Sequence, residues 1–446
     1  ERELEIEKFN PQEYWSINAI FSKDGSKQFE ARLTQFNRKK VAKFDIKNKI
    51  SATEILKKCS DVTCSVHKVE KKEIKRNPYP PFTTSTMQIE ASRKLGFTTN
   101  QTMNIAQKLY EGTEIDGEPT GLITYMRTDS VVMSSTAMNE VRKYINNEFG
   151  KNYLSLEPRI YKSKAKNTQE AHECIRPTNF NLSPQKIKKI LNIDEYKLYE
   201  IIWQRAVSSQ MASAILNQVS IDLKNSDNQI IFRANGSSIK FNGMLSVYQE
   251  TKDEDEENNI ENSNLPELNE GDKLELIKSE KKQHFTLPPP RYTEASLVKK
   301  LEELGIGRPS TYASIIRVLQ KRDYVFLDKK RFIPHDKGRV VSIFLTNYFN
   351  QYVEYDFTAD LENQLDEISN GKLEWKEVLQ KFWVTFKKLC DETVGKSNRE
   401  IIDVIDNALG PHFFPPNGED KERKCSICEN GRLGLKVGKF GGFIGC

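Results

Sequence analysis

The chain has 446 residues, 37 % hydrophobic, 29 % charged and 10 % aromatic, enough for about three domains and too aromatic for general disorder. Its 68 Lys/Arg against 63 Asp/Glu leave +5, too small a charge to name a partner. No run of 18 apolar residues occurs, which excludes a transmembrane helix, and no charged-then-apolar leader signals secretion.

A helical pattern runs from Glu1 to Phe9. It opens on Glu1, and the chain closes on a cysteine in a glycine-rich pattern, so a piece of a longer protein is expected. Tyr14 to Ser22 alternates like a strand, with Trp15, Ile17, Ala19 and Phe21 on one face. Ser65 to Ile74 reads as another strand, with Val66 and Val69 apolar, stopped by Arg76-Asn77-Pro78-Tyr79-Pro80-Pro81. The period then turns helical. Met87, Ala91 and Leu95 stand four apart before Gly96, and Thr99 to Glu111 predicts a helix with Met103, Ala106 and Tyr110 inward. A further helix starts at Ser134, and more helix covers Pro184 to Ala214. Strands return at Val219 to Leu223, Gln229 to Arg233 and Met244 to Gln249, and the acidic Lys252 to Asn264 reads as a solvated loop. After Leu287-Pro288-Pro289-Pro290 come two helices, Thr293 to Leu304 and Ser310 to Lys321, joined by Gly305-Ile306-Gly307-Arg308-Pro309. Two short strands, Tyr324 to Phe326 and Arg331 to Ile333, complete a winged-helix order. Residues 357–390 form a long helical region with Trp375, Leu379, Phe382, Trp383 and Phe386. The expected organisation is multidomain α+β. A helix end (1–9) precedes a β-rich domain (10–82 and 215–285) interrupted by a helical one (83–214), followed by a second helical domain (286–405) and a tail (406–446).

Three constellations carry chemistry. In Gly121 to Ser130, Tyr125 stands between Thr124 and Arg127. A phenol, with an ordinary pKa of about 10, attacks phosphorus only beside a cation that favours the phenolate or holds charge developing on the phosphate. Arg127 is a planar donor fork of that kind. A core tyrosine with Arg127 in a surface ion pair is the alternative these residues leave open. In Gln169 to Thr178, His172 is suited to binding phosphate or carrying a proton, or is a structural histidine beside a capped helix end. Position 176 is Arg, so His172-Glu173 is not a metalloprotease pair. The third is Cys425-Ser426-Ile427-Cys428 with Cys446, a spacing for Zn²⁺ that lacks a fourth thiolate and leaves water or His412 to complete it. Segment 421–446, with six Lys/Arg against two Glu and with Phe440 and Phe443, suits a single strand through charge and stacking. Seven thinly spread cysteines make no disulfide framework and fit a reducing compartment; Cys59, Cys64, Cys174 and Cys390 read as small apolar fillers.

These strings resemble the type IA DNA topoisomerases. The family pattern G-L-I-T-Y-M-R-T-D-S stands complete at Gly121 to Ser130, and E-A-H-E-x-I-R-P-T at Glu170 to Thr178. Pro81 to Thr86 with Glu90 to Phe97, and Pro288 to Val298 with Gly305 to Tyr312, also match. The likeness spans essentially the whole chain, and Met126 favours the bacterial topoisomerase I branch over topoisomerase III, where Pro is usual. It implies part of a type IA toroid: a β domain interrupted by the catalytic-Tyr domain, a winged-helix-like gate domain and the start of a zinc ribbon. It implies ATP-independent cleavage of one strand, strand passage and religation, relaxing negatively supercoiled DNA through a 5′-phosphotyrosyl intermediate. By position, Tyr125 is the nucleophile, Arg127 contacts the scissile phosphate and His172 lies at the same site. Arg127, Arg176, Arg291, Thr293, Arg308 and Ser310 fall where the family contacts DNA, and Cys425, Cys428 and Cys446 where it binds Zn²⁺. The implied partners are single-stranded and negatively supercoiled DNA, with no membrane, for a monomer in the bacterial cytoplasm at the nucleoid. The family's Toprim domain, with its Mg²⁺ site and acid–base Glu, and a Gly-Arg-Val-Gln-Ser motif are absent from this sequence. The chain alone is therefore expected not to relax DNA, to bind zinc weakly and to end in an unstructured tail. A noncatalytic DNA clamp, or the module of a topoisomerase III or a reverse gyrase, are the other readings.

Overall fold

The computed structural model describes residues 1–25, 27–60, 62–115, 117–162, 172–251, 265–414, 423–428, 430–438 and 441–446. The expected solvated loop, Gln169 to Ala171 of the histidine motif, and Phe440 lie outside the described residues.

Helix α1 (Arg2–Glu7) docks on the far end of the chain, Glu3 pairing with Arg291 (2.6 Å) and Glu7 with Arg339 (2.7 Å). Strand β1 (Glu13–Ser22) buries Trp15, Ile17, Ala19 and Phe21, as its alternation requires. Strands β2 (Phe29–Phe36) and β3 (Lys39–Lys40), helix α2 (Lys49–Cys59) and strand β4 (Cys64–Arg76) follow. The helical segment has α3 (Thr84–Glu90), α4 (Thr99–Glu111), a hairpin of β5 (Thr113–Ile115) and β6 (Glu118–Thr120), α5 (Ser135–Phe149), α6 (Pro184–Ile187) and α7 (Ile193–Ser209). Thr83 and Thr86 cap α3 reciprocally, and its continuation over Ala91–Leu95 widens to a π-helical turn that ends at left-handed Gly96.

Strands β7 (Ala214–Asn225), β8 (Ile231–Phe241) and β9 (Lys273–Phe285) return to the first sheet. Its order is β1-β9-β4-β7-β8-β2-β3, and β1 also pairs with β2, so six antiparallel strands close on themselves. Closure satisfies edges that an open sheet would expose. Ile17, Phe21, Leu33, Val66, Leu223 and Phe232 belong to its core. Beyond that core β4 is exposed from Glu70 to Lys75. Paired with β7, it delivers the chain to the helical segment at Asn77 and takes it back at Ser213, whose hydroxyl donates to the Asn77 side chain (2.7 Å).

Two expectations need correcting here. The helix expected to Ala214 ends at Ser209, because Ala214 already pairs with Arg76 in the sheet. Met244 to Gln249 is not a strand: Gly243–Ser246 is a 3₁₀ turn that tucks Met244 and Tyr248 into the core of the helical segment.

The next part is α8 (Glu294–Leu304), α9 (Tyr312–Lys321) and the hairpin of β10 (Val325–Asp328) and β11 (Arg331–Pro334), in winged-helix order. Helices α10 (Asp336–Tyr348), α11 (Asn350–Val353), α12 (Tyr355–Ser369), α13 (Trp375–Val394) and α14 (Asn398–Phe413) follow, so the single region expected at 357–390 is two helices parted at Gly371, φ +71°. The tail is not without structure: β12 (Gly434–Gly438) and β13 (Gly441–Gly445) form a hairpin. Leu435 packs with Ile405 and Leu409 of α14, and Asp406 accepts from the Leu435 N–H (2.7 Å) and from Arg423 (2.8 Å).

Candidate active site

The segment from Gly121 to Ser130 has no regular structure of its own, and hydrogen bonds on two sides hold it. The Thr84 hydroxyl accepts from the Thr128 N–H (2.8 Å) and donates to the Met126 carbonyl (2.7 Å). Opposite, the Thr124 N–H donates to the Arg176 carbonyl (2.9 Å), and the Thr178 N–H to the Leu122 carbonyl (3.0 Å). The Thr124 hydroxyl donates to the Cys174 carbonyl (2.7 Å). The two motifs, some fifty residues apart, thus lie side by side. Buried Leu122, Ile123, Met126 and Thr128 anchor the segment, which leaves Tyr125 half-buried and Arg127 exposed.

The Tyr125 ring lies 5.3 Å from the His172 ring and 5.4 Å from the ring of Tyr110, edge-on. Tyr110 itself is 41 % exposed rather than inward as expected; Ile105, Ala106 and Leu109 supply the buried face of α4. Arg127 makes no hydrogen bond or ion pair among the described residues. Tyr125, Arg127, Thr128, Asp129 and His172 line one side of a cavity of about 280 Å³; Arg308, Pro309, Ser310 and Asp366 line the other. Asp366 (2.6 Å), Glu362 (3.8 Å) and the Gly307 carbonyl (2.9 Å) hold the Arg308 guanidinium. Burial raises the Asp129 carboxyl from its ordinary value, against a backbone hydrogen bond and the pull of Arg308. The sequence reading did not single out Asp129, although the motif contains it. Asp366, on α12, lies 58 residues from Arg308 in the α8–α9 turn and carries no local signal.

Three other residues expected to contact DNA, Arg176, Arg291 and Thr293, do not line this cavity, and each has partners within the chain. Arg176 is bound to Glu173 (2.7 and 3.2 Å) and to the Pro177 carbonyl (2.9 Å). Arg291 pairs with Glu3, and the Thr293 hydroxyl caps α8 by accepting from the Ser296 N–H (3.1 Å).

At the tail, the sulfurs of Cys425, Cys428 and Cys446 lie within 4.8 Å of one another, the single such group among the described residues. The Ile427 N–H on its sulfur (3.4 Å) draws the Cys425 thiol down to about 7. A Cβ at Gly431 would collide with the sulfurs of Cys428 and Cys446, so glycine keeps that cradle open. His412 is not part of it: its Nε2 bonds Asp336 (2.9 Å). Cys59, Cys64 and Cys174 are buried, which pushes each thiol up to about 12, and Cys390 is half-buried.

Residues 1–380 match a family described as DNA topoisomerase. The chain belongs to that family, the bacterial type IA topoisomerases. The DNA topoisomerase 1 of Rickettsia bellii (strain RML369-C) is 52 % identical over 448 residues, covering 100 % of this chain and 55 % of the relative. That of Zymomonas mobilis is 46 % identical, over 100 % of this chain and 36 % of its own length. The solved full-length topoisomerase I from Thermotoga maritima superposes with a TM-score of 0.78 at 33 % identity, covering 100 % of this chain and 66 % of that one. The chain spans about half the length of the curated Rickettsia relatives it matches. The toroid-type α+β fold expected from the motifs is thus the fold of this chain, and the relatives' name, DNA topoisomerase 1, does not favour topoisomerase III or reverse gyrase. No helix among the described residues is long and apolar enough to cross a membrane.

Proposed function

We propose that this topoisomerase relaxes negatively supercoiled DNA by cutting one strand, passing another through the break and resealing it. The observation that carries this is Tyr125 in a cavity with Arg127, His172 and Arg308 on its walls. In the proposed step the Tyr125 Oη gives up its proton and attacks phosphorus, the P–O bond to the 3′-oxygen breaks and that oxygen takes up a proton, and the 5′-phosphate stays on the tyrosine. One phosphodiester is exchanged for another, so the returning 3′-hydroxyl reseals the strand without ATP. Arg127, with no partner in the described chain, offers a bidentate fork to the scissile phosphate. Arg308 and Ser310 take the neighbouring backbone, and His172 holds a phosphate oxygen or a proton beside the Tyr125 ring.

The resemblance also calls for Mg²⁺, but no group of three carboxylate or imidazole ligands converges among the described residues. Zinc fits better. Cys425, Cys428 and Cys446 supply three sulfurs, and the ion would tie the tail hairpin to the Cys425–Cys428 turn. The basic tail would then follow a single strand. The resemblance also implies a monomer working at the nucleoid. Separate cores in the closed sheet, the helical segment and the winged-helix part support a division of this kind at 10–82 with 215–285, 83–214 and 286–405, with Phe82, Met244 and Tyr248 packing into the core of the helical segment and Ile89 into that of the winged-helix part.

The test is Tyr125→Phe in the full-length enzyme. The ring and the fold stay, and the covalent DNA adduct trapped by denaturant should vanish. An adduct that persists in the Phe variant removes Tyr125 from the reaction. Arg127→Lys should also impair cleavage, because a point ammonium cannot reproduce the fork.

A further inference from the structure

We infer that Tyr110 is a positioning residue for Tyr125, the last turn of α4 setting both the backbone and the ring of the nucleophile. The inference rests on the assignment of Tyr125 as nucleophile.

The backbone comes first. The last carbonyls of a helix have no partner within it. At the end of α4 the Leu109 carbonyl accepts from the Leu122 N–H (2.8 Å), three residues before Tyr125. Gly112, at φ +113°, turns the chain into the β5–β6 hairpin, which returns it to the same helix end. There Gly121 lies against Tyr110: a Cβ at Gly121 would stand 2.7 Å from the Tyr110 carbonyl oxygen, inside the limit of any real contact. Glycine at 121 is what lets the Tyr125 segment sit this close to α4.

The ring comes second. Tyr110 meets Tyr125 at 5.4 Å and 65°, an edge-to-face pair, while His172 closes on the Tyr125 ring at 5.3 Å and 40°. The phenol is therefore in contact with two rings. Tyr110 is 41 % exposed, and Ile105, Ala106 and Leu109 do the burying for α4, so its ring is not needed for the core. Its hydroxyl has no hydrogen-bond partner among the described residues, so the contact depends on the ring. In-line attack on phosphorus depends on where the Tyr125 oxygen points, and small misplacements of a reacting atom cost orders of magnitude in rate.

The experiment uses the full-length enzyme and a labelled single-stranded oligonucleotide. Adduct formation is followed in single turnover at saturating DNA, and binding by fluorescence anisotropy. Tyr110→Ala should slow adduct formation about tenfold, with DNA affinity within about twofold of wild type and an unchanged melting temperature. Tyr110→Phe should restore the rate to within about twofold. Gly121→Ala, which touches neither ring, should also slow the step by forcing the segment off α4. An unchanged rate in Tyr110→Ala overturns the inference. So does a defect that disappears at saturating DNA, which would make Tyr110 a DNA contact, or a Phe variant as slow as the Ala variant. The wild-type and Tyr125→Phe arms separate the two claims: no wild-type adduct, or one that survives in Tyr125→Phe, overturns the nucleophile assignment and this inference with it.

Discussion

Arg205 is the bulkiest of the fully buried side chains, 2 % exposed inside the helical segment. A buried charge survives only when paired and hydrogen-bonded. Its guanidinium lies 4.8 Å from the Tyr79 ring, 5.0 Å from Phe82 and 5.2 Å from Tyr248. It donates to the Pro80 carbonyl (2.7 Å), to Glu250 (3.1 Å) and to the Tyr248 hydroxyl (3.2 Å). One side chain thus joins the chain leaving β4, helix α7 and the stretch after the Gly243 turn. Arg205→Met keeps an unbranched chain of similar bulk and strands those acceptors. The expected loss is about 3 kcal/mol, read as a lower urea midpoint at constant slope. An unchanged midpoint would mean that ring packing alone holds the cage. Arg205 left no trace in the sequence, because one cation in a helical run reads as a surface residue. Tyr125 and His172 were legible for the opposite reason: each sits in a long string of specific residues, whereas Asp366 reaches the same cavity only through tertiary folding.

Glu90 closes helix α3 just before the π-helical turn. It is 2 % exposed; one carboxyl oxygen accepts from the N–H and the hydroxyl of Thr251 (both 3.3 Å), and the other meets no partner among the described residues. Burial raises its carboxyl, and contacts with Tyr248 and Thr251 only partly offset this. A carboxyl raised in the folded state binds its proton more tightly there than in the unfolded chain. Its contribution is full below the ordinary carboxylate range, about 4.3, and is lost as pH rises through the folded value. Glu90→Gln removes that loss. The melting temperatures of variant and wild type should nearly coincide at pH 4 and diverge in favour of Gln at pH 6 and 8. A gap that is the same at all three would show that the carboxyl does not titrate differently in the two states. Element boundaries here were legible where chemistry marks them: Met87, Ala91 and Leu95 gave the helix and Gly96 its stop, while the widening at Ala91 had no cue. Alternation exposed β1, whereas charged residues crowd β9, Lys273 to Phe285, and mask its place beside β1. Met244 to Gln249 is apolar enough to pass for a strand, yet Gly243 at φ +46° turns it into a 3₁₀ segment.

The candidate site belongs to neither half of the chain alone, since Tyr125 and Arg308 come from parts with separate cores. Helix α8 fastens those parts together. The Ser85 hydroxyl donates to Glu302 (2.6 Å), the Thr99 N–H donates to Glu294 (2.6 Å), and Ile89 of α3 packs with Ala295, Val298, Tyr312 and Ile316. A few polar fasteners around one apolar plug make a separable contact, like the interfaces between domains that move. Opening this contact is the simplest way to make room for the proposed strand passage. Ser85→Cys with Glu302→Cys, joined by a short cleavable thiol crosslinker in the full-length enzyme, would hold it shut. The chain's own thiols interfere little: Cys59, Cys64 and Cys174 are buried and held up to about 12, so they carry almost no reactive thiolate. Wild type treated with the same reagent accounts for Cys390 and the tail cysteines. The crosslinked variant should lose plasmid relaxation and regain it when the tether is cut. Relaxation that continues with the tether intact would mean that α8 stays docked throughout the cycle and that the strand takes another path.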